Sequence, residues 1–125
     1  MTVRRAGPAI AAFALALGSA AARADAPAPG RYAAQFCVAV GDAQADCGPA
    51  QVEVRSGRKL AVRIADLAYH LELASSQVDV VLMHGTMQID GFFASYEWQG
   101  RTLRFLDLDK HTRYALEIAP HAPRR

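Results

Sequence analysis

From Tyr32 onward, apolar and polar residues alternate with a period of two along most of the chain. Tyr32, Ala34, Phe36, Val38 and Val40 share one parity, and Val52 and Val54 continue the pattern over 50–55. Leu60, Val62 and Ile64 repeat it over 59–64, and Val78, Val80 and Leu82 over 77–83. Phe92, Ala94, Tyr96 and Trp98 do so over 92–99, and Tyr114, Leu116 and Ile118 over 112–118. Strict alternation is the mark of a strand with one buried face. Shorter strands are expected at 86–90 and 102–107. Turn residues separate the runs: Ser56-Gly57-Arg58, His84-Gly85, Gly100-Arg101 and the polar stretch 107–112.

The stretch 65–74 fits two templates. As a helix it aligns Ile64, Leu67, Ala68 and Leu71, with Asp66 as an N-cap. As a strand it places Leu67, Tyr69, Leu71 and Leu73 on one face. The alternation is cleaner and the neighbours are strands, so the strand reading is preferred. The sequence therefore predicts an all-β fold: a small single-domain antiparallel barrel or sandwich of about eight strands in a meander. This β domain spans 31–119, between a Pro-rich lead-in at 25–30 and a tail at 120–125.

The first two dozen residues break this pattern. Arg4 and Arg5 precede an uncharged, Ala-rich run from Ala6 to Ala22, and Ala22-Arg23-Ala24 places small residues where a signal peptidase reads them. This is the layout of a secretory signal peptide over 1–24, cleaved after Ala24. The run falls short of the roughly 20 residues that span a bilayer, so no membrane attachment is expected once the leader is gone. Ala6-Gly7-Pro8 follows the arginine pair, which does not fit a twin-arginine signal, so export in the unfolded state is expected. Lysine occurs only at 59 and 110 while arginine and alanine abound, a bias of GC-rich bacterial genomes. The expected location is periplasmic or secreted.

Removal of the leader also changes the charge. The full chain has 14 basic and 12 acidic residues. Losing Arg4, Arg5 and Arg23 leaves 11 bases against the same 12 acids. The remaining basic groups are only pairs, such as Arg58-Lys59 and Arg124-Arg125, and form no stripe that would bind nucleic acid.

Cys37 and Cys47 are the only cysteines. An even pair in an exported chain reads as a disulfide. They flank a polar turn, and each has the parity opposite to its strand's apolar residues. Both thiols are therefore expected on the outer face of one hairpin, where they can meet.

Catalytic signals are thin. There is no G-x-S-x-G elbow, no phosphate-binding glycine loop and no H-x-x-x-H spacing. No enzymatic activity and no cofactor are expected. Met83, His84 and Met87 flank a tight turn with soft donors and form the candidate set for Cu(I). Phe92 and Phe93 cannot both face inward unless Gly91 introduces a bulge. An outward Phe93 with Glu97 and Arg101 forms a candidate protein contact, since aromatic and arginine side chains dominate interface hot spots. Tyr32, Phe36, Tyr69, Tyr96 and Trp98 would line a cavity if the barrel leaves one. The resulting expectation is an exported binding protein that contacts an envelope or extracellular protein, as an inhibitor or accessory factor. The alternatives are a carrier of a small apolar ligand and, third, a periplasmic copper-binding protein.

Overall fold

The computed structural model describes residues 26–120. The leader, its cleavage site and residues 121–125 of the tail lie outside the described residues. Eight strands follow one another: β1 Gly30–Val40, β2 Asp46–Val54, β3 Lys59–Ile64, β4 Leu67–Leu73, β5 Gln77–His84, β6 Met87–Gln99, β7 Thr102–Asp107 and β8 Thr112–Ile118. Each pairs antiparallel with its sequence neighbour, and β8 returns to β1, closing a barrel. Closure leaves no unpaired sheet edge.

The alternation read from the sequence sets the inside of this barrel. Val52, Val54, Leu60, Val62, Leu71, Val78, Val80, Leu103, Leu116 and Ile118 fill its middle and are buried. An eight-stranded barrel is just wide enough for its own side chains to fill it. Outward positions such as Arg31, Gln35, Gln51 and Arg63 are polar and exposed. That polarity is the reverse of a barrel whose outer face meets lipid. Among the described residues no helix is long and apolar enough to cross a membrane.

The segment 65–74 is a strand: Ala65 and Asp66 form the turn, and Leu67, Tyr69, Leu71 and Leu73 carry the inward parity of β4. Two boundaries differ from the sequence expectation. β2 begins at Asp46, because residues 46–50 pair with β1 before the β3 ladder starts at Gln51. Pro49 thus sits where β2 pairs with β1 alone, a place that tolerates a missing N–H. The two strands expected at 86–90 and 92–99 are a single strand, β6. Its register against β5 shifts between Leu82↔Asp90 and Met83↔Gln88, leaving Ile89 as the extra residue. The irregularity therefore falls at Ile89 and not at Gly91. Beyond it strict alternation resumes, so Phe92 points in and Phe93 points out.

The barrel has two ends. The upper end carries the turns at 41–45, 65–66, 85–86 and 108–111, and the lower end those at 55–58, 74–76 and 100–101. The chain enters and leaves the barrel at the lower end.

Candidate functional site

Cys37 and Cys47 are register partners in the β1–β2 ladder and are joined by a disulfide, with Cα atoms 4.0 Å apart. Both lie on the outer face, as their parity requires. Among the described residues there is no free cysteine.

Cys37 forms part of the floor of a trough on the outer face of β1, β8, β7 and β6, with a volume of about 420 Å³. Most outward positions elsewhere carry long polar side chains. Here Cys37, Ala39, Ala115 and Ser95 are small, so the surface sinks, and Ala39 is 5% exposed although it has the outward parity. Leu106, Arg104, Arg113 and Glu97 also line the trough, and Ala45 of the β1–β2 turn closes one side. Arg104 Nε donates to Gln99 Oε1 at 2.7 Å, and Gln99 donates in turn to Glu97. Arg113 donates to the Gly41 carbonyl at 3.0 Å.

Phe93 stands on the same outer face and is 67% exposed. The ladder between β6 and β7 ends at Ser95↔Leu106, and beyond it Leu108, in the turn after β7, is 68% exposed.

The expected contact set Phe93, Glu97 and Arg101 is split by the fold. Phe93 and Glu97 share the outer face of β6. Arg101 is turned into the structure: its guanidinium donates to the Ile118 carbonyl at 3.1 Å and to the Ala119 carbonyl. It also stacks 5.6 Å above the Tyr32 ring. Arg101 therefore ties the β6–β7 turn to the end of β8. Sequence reasoning missed Arg104, Arg113 and Leu106. Their outward parity was legible, but which outward side chains share a concavity depends on the pairing of β8 with both β7 and β1.

The five residues expected to line one cavity are divided between the two ends. Phe36 and Tyr69 belong to an upper aromatic cluster centred on Tyr114. Tyr114 stacks on Phe105 with centroids 4.7 Å apart and meets Phe92 at 5.7 Å, Phe36 at 5.9 Å and Tyr69 at 6.3 Å. Burial pushes the Tyr114 hydroxyl up to about 12 and raises Tyr69 as well. Above this cluster Lys110 pairs with Asp90 and, at 3.4 Å, with the buried carboxylate of Asp107. Its ammonium lies 5.1 Å from the Phe92 centroid. The hydrogen bond between them holds the Asp90 carboxyl below the usual carboxylate range and raises Lys110.

Tyr32, Tyr96 and Trp98 belong to the lower half. Tyr32 is buried, and its hydroxyl donates to the Ala28 carbonyl at 2.6 Å. Tyr96 donates to the Ala74 carbonyl. Tyr96 and Trp98 line a cleft of about 730 Å³ with Ala26, Arg58, Leu73 and Ser75.

The register places His84 opposite Met87 on one face, and Met83 opposite Gln88 on the other. The His84 ring nitrogen lies 2.8 Å from Asp66 Oδ2, a bond that lowers the Asp66 carboxyl. The structure thus brings together His84, Met87 and Asp66 at the upper rim, and sets Met83 apart from them. Comparison with known protein families, curated proteins and solved structures finds no match to this chain.

Proposed function

We propose that this is an exported binding protein, without catalytic activity, that docks a protein partner through the outer face of β6 and β7. The observation that carries the reading is the pair Phe93 and Leu108. Both are largely exposed, Phe93 on the outer face of β6 and Leu108 in the turn that follows β7. Single exposed apolar residues are ordinary, but two large ones this exposed suit a contact surface. The disulfide fits an oxidising compartment, in line with a periplasmic or secreted protein. A second reading, the carrier of a small apolar ligand, rests on the lower cleft lined by Tyr96 and Trp98.

Photo-crosslinking separates the two. A photoreactive phenylalanine analogue replaces Phe93, Leu108 or, as a control on another part of the barrel, Gln51, and each protein is irradiated in envelope extract of the source cells. The expected result is one discrete crosslinked protein from positions 93 and 108 and none from 51. Equal products at all three positions sink the docking face. A small molecule released from the purified protein on native mass spectrometry, displaced by Trp98→Ala, would establish the carrier instead.

A further inference from the structure

Resting on that partner-binding reading, we infer that the outer trough receives an acidic side chain of the partner, flanked by apolar residues and held by Arg104 and Arg113. The register sets Arg104 opposite Ala115 and Leu106 opposite Arg113. The two arginines are therefore diagonal neighbours on the outer face of β7 and β8. Like charges so placed repel unless an anion lies between them. Among the described residues the ion pairs involve Arg55, His84 and Lys110, and neither trough arginine takes part in one.

Each of the two guanidinium groups is instead steadied by a neutral acceptor, Gln99 for Arg104 and the Gly41 carbonyl for Arg113. A guanidinium has five N–H donors, so both keep several for an incoming group. Glu97 is the one carboxylate among the residues lining the trough, and it accepts from Gln99. The lining thus carries two positive groups against one negative. Planar N–H pairs above an apolar floor suit a carboxylate, which they bind through two parallel hydrogen bonds. The floor is apolar where a neighbouring partner side chain would rest, on Ala39, Ala115 and Leu106. At about 420 Å³ the trough is at the small end of the range for ligand sites, which suits side chains better than a whole lipid or cofactor.

The test titrates the disulfide-bonded mature protein, followed by NMR, with acetyl-Phe-Glu-Leu-amide and with the otherwise identical Gln peptide. Shifts are expected at Arg104, Arg113 and Ala115, including the guanidinium Nε signals. The Glu peptide should bind roughly tenfold tighter than the Gln peptide, the factor supplied by charge-assisted hydrogen bonding. The double variant Arg104→Gln, Arg113→Gln should lose that preference while keeping its melting temperature. Equal binding of the two peptides, or no shift at the trough with either, overturns the inference. The crosslink from position 93 tells its failure apart from failure of the parent reading. A crosslink that forms equally well in the double variant removes the acidic anchor and leaves the partner reading standing. Peptide discrimination with no crosslink at 93 leaves the carboxylate site standing and removes the docking face.

Discussion

The two ends of the barrel are closed by different chemistry. At the upper end an aromatic stack around Tyr114 is covered by Lys110, which is held between Asp90 and Asp107. At the lower end Tyr32, Tyr96, Arg58 and Arg101 donate to backbone carbonyls of Ala28, Ala74, Leu73, Ile118 and Ala119. The lower closure thus contains no carboxylate–ammonium pair, and its carbonyl acceptors do not titrate. The upper closure is built from groups that change charge. Its stability should therefore depend on pH and salt, whereas the lower end should respond mainly to loss of contacts.

The largest expected effect tests where packing is concentrated. Phe105 is buried against Tyr114 at the upper end. Phe105→Ala should cost roughly 3–5 kcal/mol in chemical denaturation, from lost burial and the cavity left behind. Trp98→Ala, at the partly exposed lower cleft, should cost less. An equal cost would mean that the two ends are equally packed.

The disulfide comes next. It joins β1 to β2 beside the 41–45 turn of the upper end. Replacing both cysteines by alanine should lower stability by roughly 3 kcal/mol, the loop-closure entropy of so short a segment. Residues 30–36 and 48–54 still pair without it, so the double variant should fold at low temperature. Peptide binding in the trough should weaken in that folded fraction, because Cys37 forms part of its floor, while the lower end should be unaffected.

The third prediction separates the ends by pH. Tyr114 and Lys110 both titrate higher in the folded protein than in the unfolded chain. Their contribution is complete below the unfolded values and is lost as pH rises through the folded ones. Stability should thus fall as pH rises from about 10 toward about 12, the value to which burial raises Tyr114. Tyr114→Phe keeps the ring and removes that hydroxyl, so it should flatten the alkaline slope; an unchanged slope would mean that Tyr114 is not the titrating group. Asp90 is lowered, so its contribution holds above its unfolded value and is lost as pH falls through the lower folded one.

A smaller effect concerns the turns. Ala65, Gly85 and Gly100 each begin a two-residue hairpin turn, with φ of 55°, 64° and 64°. Only glycine adopts that region freely, so Ala65→Gly should raise stability by up to about 1 kcal/mol, measured by thermal melting. The smallest effect is in salt. Lys110→Met should remove much of the salt dependence of unfolding, because it breaks the upper ion cluster, in which Lys110 and Asp90 are partly exposed. Arg101→Gln should lower stability with no change in that dependence. A reversed result would exchange the roles assigned to the two ends.

The sequence alone determined the strands and their buried faces, because a period of two needs no long-range information. It also determined that Phe93 opposes Phe92, and that the two thiols share a face, since parity is local. It could not show that 86–90 and 92–99 are one strand, because the extra residue Ile89 is defined only against the register of β5. Nor could it divide Phe36 and Tyr69 from Tyr96 and Trp98. All four are inward by parity, and the height of each along the barrel follows from how the strands pair and the barrel closes. The same closure turned Arg101 inward to the end of β8 and set Arg113 between Ala39 and Leu106. Residues distant in sequence become neighbours on a surface only when the sheet closes, so the trough belongs to the tertiary structure even though every residue lining it was visible from the start.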